Sequence, residues 1–356
     1  MPGVISRLSD ADPIAFDIEG YVSATAWSRE GVRLAVASAD GPVACFNTQK
    51  GLREWSHPGH GLGTSSVTMA DDGALTVTCG QDDRVLFHGA TGSPVCAGRL
   101  PGWGERVRLS TDQRYAAVAS KRAVLVFDML ELPSHTRADG DPEIPVEPAF
   151  VFDGHASTVT DIAWEPGTHR LAATAYGTLT IWRVGTTGPV RVFRWQGSSL
   201  VVRWSPDKRF LATGDQDSTV HFWFIKEGKD LQMWGFETKV LELSWDHSGR
   251  HLATGGGRMP TVWDCSGQKG PEKRRPIQLE RHESHVRALA FGNRTQLLAS
   301  GDADGRLVLW NPIGSESPVS ERRLNSAITQ VAFSPDDSML AVGGDDGTVT
   351  LYRLEP

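Results

Sequence analysis

VRALAFGNRTQLLASGDADGRLVLWN (286–311) alternates apolar and polar residues in three short runs, and Gly, Asn and Asp clusters separate the runs. Alternation with a period of two, broken by turn-forming residues, describes three antiparallel strands joined by tight turns. The same shape returns at 22–47, 66–89, 106–128, 159–183, 200–224, 240–264 and 328–353, which makes eight copies. The residue closing each third strand is Phe46, His88, Phe127, Trp182, Trp223, Trp263, Trp310 or Tyr352, so successive steps are 42, 39, 55, 41, 40, 47 and 42 residues. Steps of about 40 to 45 residues with four strands each are the arithmetic of a propeller, in which one repeat cannot bury its faces alone.

The chain resembles the WD40 repeat family. Gly154-His155 stands nine residues before Trp164, Gly59-His60 stands nine before Met69, and His282 stands nine before Phe291. The resemblance covers nearly the whole chain and implies an all-β propeller of four-stranded antiparallel blades, forming a single domain over 1–356. Eight sets of inner strands favour eight blades, with seven as the alternative. The last repeat ends soon after its third strand, so a strand near 13–20 is expected to complete it.

The resemblance also assigns structural residues. The family's turn aspartate is matched by Asp40, Asp82, Asp217, Asp304 and Asp346, each six residues before a closing position. A hydrogen-bond tetrad of His282, Ser300, Asp304 and Trp310 is implied in the seventh repeat, and that repeat alone matches the pattern fully. The fourth and sixth repeats lack the aspartate.

Composition agrees with an ordinary soluble protein: 36 Lys plus Arg stand against 43 Asp plus Glu, for a formal charge of −7. That balance argues against a basic nucleic-acid binder. No apolar run reaches the roughly 18 residues of a membrane helix, so a cytoplasmic monomer without nucleic-acid or membrane partners is expected. The cysteines Cys45, Cys79, Cys96 and Cys265 are too scattered for a disulfide framework or a CxxC metal site.

Two insertions change the local composition. Residues 129–148 carry four prolines and five acids against one arginine, whereas 264–276 is basic. Both fall between third and fourth strands and are expected to emerge on one face. Cys265, beside Lys269, Lys273, Arg274 and Arg275, is expected to be the accessible thiol.

No catalytic spacing survives its context, and no cofactor is expected. His282 and His285 sit one residue short of a zincin pair and at the start of a strand. Asp215 with Asp217, and Asp302 with Asp304, read as turn chemistry. The run Gly255, Gly256, Gly257 could present backbone donors to an anion but lacks the strand-to-helix setting of a phosphate loop.

In WD40 proteins the partner usually sits on the face built by the second-to-third-strand turns and the connections into each first strand. The resemblance places side chains there six and four residues before the first-strand aromatic and one before the turn aspartate. On this chain these are Tyr21, Gln81, Trp103, Glu105, Gln216, Lys239, His285, Arg287 and Asp345, with Tyr176 and Arg258 in the altered fourth and sixth turns. The implied function is a non-catalytic scaffold binding a protein or peptide. The alternatives are a propeller enzyme or a metal- or small-ligand-binding accessory protein, for which some segments resemble stand-alone bacterial WD40 proteins associated with metal-chaperone GTPases.

Overall fold

The computed structural model describes residues 6–133 and 143–355, and no helix occurs among them. The strands of every repeat form where the alternation places them. Their second strands are buried almost throughout, as in Arg33–Ser38 and Tyr115–Ser120, which fits strands enclosed on both faces. The architecture is a β-propeller, and the chain divides into two compact units, Ile18–Val202 and Met1–Asp17 with Arg203–Pro356.

In the first unit, one sheet takes Val22–Trp27, Arg33–Ser38, Val43–Asn47 and Leu52–His57 in that order. The next takes Thr64–Met69, Thr76–Gly80, Arg84–His88 and Pro94–Arg99. The third takes Gly104–Leu109, Tyr115–Ser120, Ala123–Asp128 and Phe150–Phe152. Asp161–Trp164, Arg170–Arg183 and Arg191–Trp204 follow. The second and third sheets share one core, in which Phe87 and Phe127 meet edge to face at 5.6 Å. Gly98 is required there, because a Cβ at that position would lie 2.6 Å from the Phe127 ring.

The second unit holds Phe210–Asp215, Val220–Phe224 and Lys229–Met233, then Leu243–Trp245, His251–Thr254, Thr261–Asp264 and Ile277–Gln278. Val286–Phe291, Leu298–Asp302, Arg306–Trp310 and Pro318–Arg323 form the next sheet. The last contains Ile328–Phe333, Met339–Gly344 and Thr348–Glu355. Ile14–Asp17 pairs antiparallel with Thr348–Glu355 in the register Ile14 to Leu351, so the expected N-terminal strand does complete the last sheet. Arg7–Leu8 adds to the same strand further along.

The described strands make seven sheets, which corrects the expected eight blades to the alternative of seven. All eight repeats supply strands, but the fourth and fifth run together in one six-stranded sheet. The physical reason lies in two 14-residue strands: Arg170–Arg183 continues through the shortened fourth turn, and Arg191–Trp204 continues from one repeat into the next. Another departure concerns the acidic insertion. Residues 134–142 lie outside the described residues, but Ile144–Val146 pairs in parallel with Pro94–Arg99 as a fifth strand of the second sheet, and Glu143 forms an ion pair with Arg84.

Candidate partner-binding rim

Equivalent first strands in the Ile18–Val202 unit lie side by side and run in the same direction. Ser23 donates to the Thr64 carbonyl at 2.6 Å, and the Val107 N–H donates to Ser66 Oγ at 3.2 Å. In an antiparallel sheet the start of the first strand lies beside the turn between the second and third. All the loops into first strands and all those turns in this unit therefore share one rim.

A recurring irregularity re-aims side chains at that rim. The pairing of first with second strands slips between Val22 and Ala24, Thr64 and Ser66, and Gly104 and Arg106. The skipped residues are Ser23, Ser65 and Glu105. A bulge leaves the extra residue out of the ladder and turns its side chain away from the strand face. Glu105 thus owes its position to a bulge that sequence alternation does not display.

Trp103 follows Pro101-Gly102 and is 55% exposed. Its neighbour Gly104 brings the backbone so close to the second sheet that a Cβ would sit 2.5 Å from Cys79 Cβ. Tyr176 is 60% exposed, and its N–H donates to Ser157 Oγ at 2.8 Å, which fixes the shortened turn against the preceding loop. Tyr21 is 38% exposed, with its N–H donating to Asp40 Oδ2 at 3.0 Å. Gln81 is half-buried, and its N–H donates to the Gly63 carbonyl at 2.8 Å. Leu62, 70% exposed in the loop before Thr64–Met69, belongs to the same rim and was outside the family spacing.

The other unit holds the remaining candidates. Gln216, Lys239, His285 and Arg287 are exposed. Arg287 occupies the bulge between Val286 and Ala288, the counterpart of Glu105. Arg258 pairs with Glu237 at 3.4 Å, and Asp345 Oδ1 accepts the Ala327 N–H at 3.1 Å. Trp234, at 76% exposed, follows Lys229–Met233.

The structural tetrad needs one correction. His282 Nδ1 meets Asp302 at 2.8 Å, not Asp304, while His282 Nε2 meets Ser300 Oγ at 2.7 Å and Trp310 Nε1 donates to the same oxygen at 2.8 Å. Asp302 ends the second strand and points into the sheet, whereas Asp304 sits in the turn, with its N–H donating to Asp302 Oδ1 at 3.0 Å. A second tetrad, not expected from sequence, occupies the second repeat. His60 meets Asp82 at 2.7 Å and Thr78 at 3.0 Å, and His88 takes the place of the tryptophan at 2.9 Å from Thr78. Burial pushes His88 down to about 3, so this ring is a neutral spacer.

Two chemical expectations are also revised. The glycines 255–257 do not face an outside anion. A Cβ on Gly255 would lie 2.4 Å from Glu242 Oε2, and the Gly256 N–H donates to Glu242, so the run wraps a carboxylate of its own sheet. Burial pushes Glu242 up to about 7. Cys265 is buried, not accessible, and its desolvated thiol lies well above the usual range. The basic segment folds over it: Arg209 donates to the carbonyls of Cys265 and Gly267, and Arg274 pairs with Asp264. No group of three or more His, Cys, Asp or Glu side chains able to hold a metal ion occurs among the described residues.

Charges near the rim cluster in the third repeat. Arg106 and Arg108 approach the buried Asp161 at 3.8 and 3.9 Å, and Asp161 Oδ2 accepts the Val202 N–H at 3.0 Å. The third turn is the two-residue hairpin Lys121-Arg122, closed by the pair Ser120 and Ala123. Lys121 stands six residues before Phe127, the place of the turn aspartate elsewhere, so the spacing that located the aspartates also locates this reversal.

The WD domain, G-beta repeat family matches residues 146–183, 189–223, 274–311 and 319–353. These fall on four of the repeats whose strands are described above. Four stretches of the chain are WD40 repeats. The chain is 28% identical over 181 residues to the protein groucho of Drosophila melanogaster, a match covering 50% of this chain and 24% of that one. The matched part is thus about a quarter of that relative's length. Among solved structures, the computationally designed Ika8 protein has a TM-score of 0.78 at 20% identity, covering 95% of this chain and 97% of that chain. That likeness concerns the fold alone.

Proposed function

We propose that this protein is a non-catalytic interaction module whose rim in the Ile18–Val202 unit holds a protein or peptide partner. The observation that carries the reading is the gathering of Tyr21, Leu62, Trp103 and Tyr176, large and exposed, on loops and turns of one rim. Tryptophan and tyrosine in such settings supply the contacts that cost about 2 kcal/mol or more when truncated. Their backbones are held by hydrogen bonds to Asp40 and Ser157 and by the close approach of Gly104, so little ordering is needed on binding.

The test is affinity capture from the lysate of the source organism with the wild type beside a Tyr21→Ala, Trp103→Ala, Tyr176→Ala variant of unchanged melting temperature. A protein retained by the wild type and lost by the variant supports the reading. Equal retention by both overturns it.

A further inference from the structure

The rim of the Ile18–Val202 unit is not uniform in charge. The first turn presents Asp40, the second presents Asp82 and Asp83, and the fourth presents Tyr176 and Gly177 without charge. Only the third presents cations. Lys121 adopts φ +47°, a left-handed conformation that side-chain-bearing residues rarely take, and its chain lies across Gly102, where a Cβ would be 2.3 Å from Lys121 Cε. The Lys121 side chain therefore lies against Gly102, the residue that precedes Trp103. Arg122 Nε donates to the His155 carbonyl at 2.6 Å, and the Val159 N–H donates to the Lys121 carbonyl at 2.7 Å. The loop so fastened carries Ser157, which holds Tyr176. Trp103, Lys121, Arg122 and Tyr176 thus follow one another along a continuous stretch of the rim.

The acids around this stretch are mostly engaged. Asp82 meets His60, Asp83 pairs with Arg99 at 2.5 Å, and Asp161 is buried. Glu105 and Asp153 are further carboxylates in the loop before the third repeat and the loop after it. Arg106 spends one N–H on the Glu105 carbonyl at 2.9 Å and lies 3.8 Å from Asp161, which leaves guanidinium donors unused. An acidic segment would be repelled by Asp40 of the first turn and attracted to Lys121 and Arg122 of the third.

We propose that the third-repeat hairpin and the loop before it bind an acidic peptide segment of the partner, with Lys121, Arg122 and Arg106 taking its carboxylates and Trp103 and Tyr176 its apolar side chains. This rests on the rim being the partner-binding surface. The probe is a fluorescein-labelled peptide of three repeats of Glu-Phe-Gly-Glu, compared by fluorescence polarisation with its lysine counterpart. The acidic peptide binds and the lysine peptide does not, and binding weakens with added salt. Lys121→Glu with Arg122→Glu raises the Kd about tenfold or more. Lys121→Gly, which suits the positive φ and so preserves the turn, raises it by a smaller factor.

Equal binding of both peptides, an unchanged Kd in the double variant, or equal competition by a 12-nucleotide single-stranded RNA overturns the proposal. So does a dimer in sedimentation that dissociates in the double variant, since the occupant would then be a second copy. A captured partner that is lost with Trp103→Ala and Tyr176→Ala but kept with the double charge reversal leaves the rim standing and removes the acidic segment.

Discussion

Trp310, Ser300, His282 and Asp302 form a chain of donors and acceptors with no gap, all buried. Ser300→Ala leaves an indole N–H and an imidazole nitrogen without partners, and is expected to cost about 1–3 kcal/mol in urea unfolding. Glu242 gives the opposite kind of signature. Its folded pKa of about 7 lies above the ordinary value, so between pH 4.5 and 7 the native state binds more protons than the unfolded one, and stability falls as pH rises through that range. His88, at about 3, and His155, at about 4, act in reverse: the unfolded chain takes up protons first, and stability falls as pH drops below about 6.5. Glu242→Gln isolates the first effect. Relative to wild type it should gain about 1–3 kcal/mol between pH 5 and pH 8, measured by paired urea titrations. The thiols give a third check: Cys45 and Cys79 are pushed up to about 12 by burial and Cys265 is raised too, so a thiol reagent at pH 8 should modify native protein far more slowly than denatured protein.

At the scale of elements, Ile14–Asp17 covers the edge of Thr348–Glu355. Removing residues 6–17 bares that edge, and size-exclusion chromatography should show higher oligomers and a melting temperature lower by several degrees. The three inner strands of each repeat were legible because alternation and turn residues are local signals. The Ile144–Val146 strand was not, since its parallel pairing with Pro94–Arg99 joins segments that carry no shared pattern. The fusion of the fourth and fifth repeats into one sheet escaped for a related reason: the missing turn residue was visible in ATAYGTLTIW, but its consequence, a strand running on for 14 residues, depends on the partner strand. Asp302 in place of Asp304 was a register matter, decided by which carboxylate faces into the sheet.

Over the whole chain the net charge is −7, yet among the turns of the Ile18–Val202 unit the third carries Lys121 and Arg122. Tyr21 and Trp103 follow from the family spacing and Tyr176 from the altered fourth turn, and the structure leaves all three exposed; Lys121 and Arg122 sit at a turn that the spacing marks but do not match its aspartate, and Leu62 lies outside the spacing. Cys265 was misplaced because nearby basic residues suggested solvent, whereas Arg209 and Arg274 fold the segment down over the thiol. Hydrogen–deuterium exchange of the wild-type chain with and without its captured partner measures directly where that partner sits. Slowed exchange in 100–108, 120–123 and 155–178, with other turns unchanged, is the predicted result. Protection confined to segments away from these loops would contradict it.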